Sequence, residues 1–378
     1  MPKFRMPRFV VVIVCALPAV LTGLFYALAP LTGVMDWAAA CISKPVRGFF
    51  GLLSSVYPLS LMEVVCTAAV IWLIYYLVKT VAVTLHRRNK WKILGKRMLL
   101  VAVVALYIWS SFCWLWNSGY HARGFAQRSG FSGGGVAVED LTFVAGYFAE
   151  MANELAPVVK RDEDGNYIEE RDDIFDAATS VYVNALNTFP ELDGSLYRPK
   201  SMLFSWLMSR TGYTGIYFAL TGEANINTRM PMSQMPATVA HELAHQLGVF
   251  AEDEANFVGI TACVISGNPV YEYSGYLSGL SYLLNALASV DSLAWSVVYE
   301  SLSELVLRDR QESYDYWRSQ ETVDTGVQLL DNILTVVTET VSDTVDVVYD
   351  GYLKSQKQEL GLRSYGACVD LLVEYFRH

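Results

Sequence analysis

The chain has 378 residues, of which 53% are hydrophobic and only 17% charged. That charged share is well below the ~25% usual for soluble domains, which argues against a purely soluble protein and equally against collagen-like, disordered or disulfide-scaffold chains. Charge divides the sequence: residues 1–116 carry 12 Lys/Arg against 2 Asp/Glu, whereas residues 117–378 carry 16 against 36. The acidic part is a poor match for phosphate backbones, whose binding rests on Lys/Arg neutralisation, so no nucleic-acid partner is expected.

Three apolar runs, 9–29, 61–78 and 98–116, each have about the ~20 residues needed to cross a bilayer as a helix. Pro18 and Gly23 in the first are tolerated in such helices, and Glu63 lies near the start of the second, where a carboxylate can stay at the interface. Trp109, Trp114 and Trp116 at the end of the third read as an aromatic belt. The basic start of the first run and Ala27-Leu28-Ala29 leave a cleavable signal peptide as the alternative. Lys/Arg number 3 before the first run, 2 between the first and second (Lys44, Arg47) and 7 from Lys79 to Arg97. The positive-inside rule then predicts a multi-pass protein in the lipid bilayer, with the N-terminus and the 79–97 loop in the cytoplasm and the acidic part outside. In the loop 31–60, Trp37, Val46, Phe49, Phe50, Leu52 and Leu53 could form an amphipathic segment on the membrane surface. Six cysteines show no paired spacing, so no disulfide framework is expected.

Glycine and serine in 117–135 read as a flexible linker between the anchor, 1–116, and a globular domain, 136–378. The expected fold is mostly α, with at most a small sheet. Apolar residues recur at helical spacing at Leu141, Val144, Ala145, Phe148 and Met151, and again at Ile174, Ala177, Ala178, Val181, Ala185 and Leu186. Between them lies a charged stretch turning at Asp164-Gly165. Residues 215–220 are the best strand candidate, and helical patterns resume at Pro236 and run to the end.

The string that carries chemistry is His241-Glu242-Leu-Ala-His245, in a helical pattern opened by Pro236. Two His one turn apart project from one face and can bind one Zn²⁺; Glu242, about 100° round the helix, can touch a zinc-bound water without being a ligand. Zinc lowers the pKa of such a water to ~7, and a carboxylate can take its proton and later deliver it to a leaving amine. Two solvated helical histidines are the bland alternative. A catalytic zinc needs a third protein ligand. Residues 251–264 look like a second helix on which Glu252, Ala255, Asn256, Gly259 and Cys263 share one face, favouring Glu252, with Glu254 as the alternative and Asp253 solvated. Asn256 could orient a ligand histidine by a hydrogen bond. The cluster could also be an acidic helix start complementing the dipole.

The acidic motif after H-E-x-x-H resembles the glutamate-zincin metallopeptidases, including membrane-bound peptidases of the prenyl-protein class and small peptidases that cut phage-type repressors. The resemblance implies His241, His245 and Glu252 as zinc ligands and Glu242 as catalytic base, with Asn256 where many members have Asp. Closer still, Thr221 to Asn227, His241 to Phe257, Tyr273 to Leu277, Tyr352 to Lys354, Ser364 to Gly366 and Val369 to Leu372 resemble a bacterial multi-pass membrane family catalogued as domain of unknown function 3810. That likeness names no substrate. Tyr273 and Tyr276 could place a phenol near a developing oxyanion, though a core or surface role is the simpler expectation. Glu223, Asn225 and Asn227 could border an edge strand that binds substrate, or serve a turn. His121 and His378 are expected to be solvated. The resulting expectation is a membrane-anchored zinc peptidase that cuts a peptide or protein through a zinc-bound water; the alternative is a catalytically silent zinc-binding envelope sensor or scaffold.

Overall fold

The computed structural model describes residues 7–85, 87, 89–132, 135–320 and 365–377. Tyr352 to Lys354, Ser364, His378, Gly133, Gly134 and the helical pattern of 321–364 lie outside the described residues. The fold is mostly α with one small sheet.

Helix α1 (Arg8–Leu28) leads into α2 (Thr32–Ala38) and, through a π-helical turn at Ala39–Ser43, into α3 (Lys44–Ser55). Then come α4 (Leu61–Leu85) and α5 (Lys90–Phe112), the latter prolonged by a π-helical turn at Cys113–Asn117. Three stretches, Phe9–Leu28, Leu61–Leu85 and Lys90–His121, are long and apolar enough to cross a membrane. Helices α4 and α5 run past the ends expected at 78 and 98, so the basic segment 79–97 is mostly helix. Apolar Val81, Val83 and Leu85 continue the pattern, and long basic side chains can reach water from a helical backbone.

The expected linker is instead packed structure. Residues Ser118–His121 and Phe125–Arg128 form α6 and α7. Phe125 is buried against Phe189 and Phe257 in the main core. Gly119 and Gly124 are needed there for close approach, since a Cβ would meet Phe250 at the first and the Glu254 carboxylate at the second. His121 packs edge-on to Phe25 rather than pointing only to water.

Beyond α8 (Val138–Leu155), the charged stretch folds into a hairpin bridged at Arg161 and Tyr167, with Gly165 at φ +83° in its turn. The single helix expected over 174–186 is divided into α9 (Arg171–Ala177), a 3₁₀ turn at Ser180–Tyr182 and α10 (Val183–Thr188). The Ser180 hydroxyl donates to the Ala177 carbonyl, a local bond that competes with helix continuation. Strand β1 (Lys200–Ser201), α11 (Ser205–Arg210), β2 (Gly215–Phe218) and β3 (Glu223–Ile226) follow. The sheet order is β1-β3-β2, with β1 parallel and β2 antiparallel to β3. Then come α12 (Met235–Gln246), α13 (Glu252–Val264), α14 (Pro269–Val290), α15 (Ser292–Glu300), α16 (Glu304–Gln320) and α17 (Tyr365–Phe376). Helix α13 is central: it packs against α12, α14 and α17, and α8 covers α14. Asn268 and Asp291 cap α14 and α15 by accepting from Val270 N–H and from Leu293 and Ala294 N–H.

Helix α3 is amphipathic, but its polar face packs on the domain. Arg47, Gly51 and Ser54 are buried, while Phe49, Leu52 and Leu53 are exposed. Gly51 meets Gly222 in the β2–β3 turn, where a Cβ on Gly222 would lie 2.5 Å from the Gly51 nitrogen. The segment between the first two apolar helices is therefore built into the same body as the domain.

Candidate metal centre

Helix α12 places His241 and His245 on one face, and the way it ends orients the second ring. Gly248, at φ +89°, follows the last turn. Its N–H donates to the His245 carbonyl (3.0 Å) and the Val249 N–H to the Ala244 carbonyl (3.0 Å), the pair of bonds of a Schellman motif. That reversal brings the Val249 carbonyl to 2.7 Å from His245 Nδ1, leaving Nε2 pointed at Glu252. Helix α13 then crosses α12 closely, because Gly259 lies against the His241 backbone; a Cβ there would sit 2.8 Å from its nitrogen.

Glu252 Oε2 lies 3.3 Å from His241 Nε2 and 3.5 Å from His245 Nε2. One ligand atom from each of the three residues falls within 4.8 Å of the others, the only such group of three or more among the described residues. Two imidazoles and a carboxylate are the donor set zinc favours, so these side chains fit the ion. With the three groups facing one another, the Glu252 carboxyl is held well below the ordinary carboxylate range: burial opposes this, but His245 and His241 override it. His245 is held up at about 9, with burial again opposing and Glu252 prevailing.

Glu242 is buried beside this group. It lies under β2, where Gly215 leaves the necessary space: a Cβ on Gly215 would be 2.5 Å from Glu242 Oε1. The bond from Asn227 N–H to the Thr214 carbonyl sets the sheet alternation, so Gly215 and Tyr217 turn their backbone groups away from β3. Tyr217 N–H reaches Glu242. Glu242 Oε2 is buried without a partner, and burial raises its pKa, moderated by the two histidines.

The other candidate residues separate. Glu254 turns away and accepts from Phe125 N–H (2.7 Å) and Ala126 N–H (2.9 Å). Asp253, expected to be solvated, has one buried oxygen without a partner, because α17 packs over this end of α13. Asn256 lines the same cleft but does not orient His241, whose Nδ1 is buried and unpartnered; His245 is oriented by backbone instead. Tyr273 bonds Asp309 and Arg161, and Tyr276 bonds Tyr147, so neither hydroxyl is brought to the cluster. Glu223 is buried in an ion pair with Lys200 (2.5 Å) and accepts from Leu61 and Met62 N–H at the start of α4. Asn225 and Asn227 are fully buried, with their amides donating to Ile216 and Tyr213 carbonyls, as turn and sheet fixtures.

The sequence reading missed the far side of His245. Arg47 of α3 is buried and donates to the His245 carbonyl (3.1 Å) and the Tyr217 hydroxyl (3.2 Å). Trp116, expected at a membrane surface, packs edge-on to His245 at 5.5 Å between ring centroids. An isolated arginine among small residues in a mostly apolar loop was the available signal. The family model described as "Protein of unknown function (DUF3810)" matches residues 40–373. The chain belongs to that family. The matched region takes in α3 with Arg47 as well as both metal-centre helices, so the family is defined over the inter-helix segment and the domain together. No curated protein and no solved structure matched the chain.

Proposed function

We propose that this protein is a membrane-anchored, zinc-dependent peptidase of the glutamate-zincin type, with its domain on the extracytoplasmic side of the bacterial membrane. The observation that carries the reading is the pairing of a three-donor cluster, His241, His245 and Glu252, with a buried carboxylate, Glu242, that is not part of it. A purely structural ion site needs the donors but has no use for an adjacent carboxylate with a free oxygen.

Zinc held by the three donors supplies Lewis-acid chemistry, polarising a carbonyl and acidifying water near neutral pH. Glu242 accepts the proton of the attacking water and returns it to the leaving amine, a role suited to a carboxylate whose pKa burial raises. Tyr217 N–H fixes one Glu242 oxygen, leaving the other for that proton. The backbone of Gly215 and the carbonyl of Tyr217, which face away from β3, can hold an extended substrate as an added strand.

The test is metal content of the purified full-length protein together with envelope proteolysis by wild type and Glu242→Gln. Glu242→Gln is expected to keep zinc and lose cleavage by about 10²- to 10⁴-fold, the usual contribution of a general acid–base group. Unchanged envelope proteolysis in Glu242→Gln, alongside a phenotype on deleting the donors, would replace the peptidase by a zinc-binding scaffold.

A further inference from the structure

The cleft holding the three donors, about 1450 Å³ in volume, is also lined by Met62, Glu63, Cys66 and Thr67 of α4. At about 1.5 Å per residue, Thr67 is roughly 9 Å along α4 from Leu61, inside a helix apolar and long enough to span a bilayer. We propose that the cleft receives its substrate from the bilayer: a membrane-spanning protein whose extended juxtamembrane stretch passes along β2 to the metal centre. This inference deepens the peptidase reading and rests on it.

Two carboxylates lock the catalytic layer to the first turn of α4. Glu223 of β3 accepts from Leu61 and Met62 N–H (2.9 and 2.8 Å), and Glu63 accepts from Leu203 and Phe204 N–H (both 2.8 Å). The sheet and α11 therefore stand at the level where α4 enters the membrane. At that level the domain shows an apolar rim: Leu203 is 67% exposed, Trp206 46% and Phe204 41%, and on α3 Phe49 is 57% and Leu52 56%. Such a patch on a chain that also carries spanning helices fits a membrane surface, where tryptophan is favoured. Inside the mouth, Met62, Met202 and Met208 pack together, flexible side chains that accommodate varied apolar partners. An acyl chain would use the apolar rim alone; the outward backbone of Gly215 and carbonyl of Tyr217 call for a polypeptide, which is why the occupant is a protein leaving its span.

The experiment has two arms. Full-length protein in vesicles of phosphatidylethanolamine and phosphatidylglycerol, doped with a phospholipid carrying a diazirine on its acyl chain, is expected to crosslink at 203–207 and at the Met62–Thr67 face of α4. Absence of crosslinks at 203–207 overturns the proposal whatever the enzyme's activity. In cells, cut products of membrane-spanning proteins, cleaved where the chain leaves a span, are expected to fall by about 10²-fold or more in Glu242→Gln. Products confined to soluble or lipid-anchored proteins overturn the bilayer route and leave the peptidase standing. No products at all overturn both.

Discussion

Glu252 and Glu254 share one helical turn and do unrelated work: the first faces two imidazoles, the second receives two backbone N–H groups from α7. His241→Ala or His245→Ala is expected to abolish stoichiometric zinc and Glu252→Gln to weaken it strongly, measured by elemental analysis. Glu254→Gln should retain zinc but lower stability by about 1–3 kcal/mol, since its amide nitrogen would face an N–H donor; the reverse pattern would reassign the third ligand. Protons give an independent check. His245 keeps a proton up to about pH 9 in the metal-free protein because Glu252 outweighs burial, and Val249 holds Nδ1, so the displaced proton leaves Nε2. Zinc affinity should therefore rise about tenfold per pH unit toward 9 and level off above it, with about one proton released per ion in calorimetry across two buffers. Glu252, already ionised, releases none. The sign for stability is opposite. A raised histidine pKa stabilises the metal-free fold fully below 6.5, and that contribution is lost as pH rises through about 9.

Glycines at element boundaries set the site as much as its polar residues do. Gly215→Ala would push a methyl into the Glu242 carboxylate, and should reduce cleavage while leaving zinc bound. Gly248→Ala places a Cβ at φ +89° and loosens the carbonyl that orients His245; the expected result is roughly 1–2 kcal/mol lower stability, read by thermal melting, together with weaker zinc binding. These positions also explain what the sequence made legible. His241, Glu242 and His245 were readable because a helix of fixed pitch turns spacing into direction, and the small-residue face of α13 pointed to Glu252 through the same rule. Strand β3 was not readable: all four of its residues are buried, so Glu223-Ala-Asn-Ile shows no alternation to betray it. Glu254 was left as an alternative ligand because its true partners lie 128 and 129 positions earlier in the chain, beyond any local pattern. Tyr273 and Tyr276 were drawn toward the site by proximity in sequence, whereas α14 turns them to Asp309 and Tyr147.

Over the whole molecule, the apolar helices were evident from length and composition, but the division into anchor, linker and domain does not describe how the chain packs. Residues 31–60 and 117–131 close over the candidate metal centre and its sheet, with Lys44 paired to Asp193 and Arg47 reaching the backbone of His245. At Gly51, Gly119 and Gly124 glycine means close contact, a use that composition alone cannot distinguish from flexibility. Arg47→Ala is accordingly expected to weaken zinc binding without touching a ligand, and a chain shortened to 136–378 should fail to hold zinc at all. The same packing constrains topology. Because α3 and the β2–β3 turn meet backbone to backbone at Gly51 and Gly222, the segment after α1 and the domain after α5 share one side of any membrane that α4 and α5 cross, with the turn near Asn89 on the other. The two apolar helices between them, α4 and α5, satisfy this, and under the proposed topology the Lys/Arg counts of 3, 2 and 7 around the apolar runs favour the Asn89 side as the cytoplasmic one. The inter-helix segment carries few charges, and its two basic residues are engaged by the domain, so it offers little resistance to crossing. A periplasmic-type reporter fused after residue 135 is expected to be active and one fused near Asn89 inactive, with a cysteine placed at exposed Val56 labelled by an impermeant reagent from outside. The opposite reporter pattern would place the domain in the cytoplasm, and labelling of the two segments from different sides would contradict the packing itself.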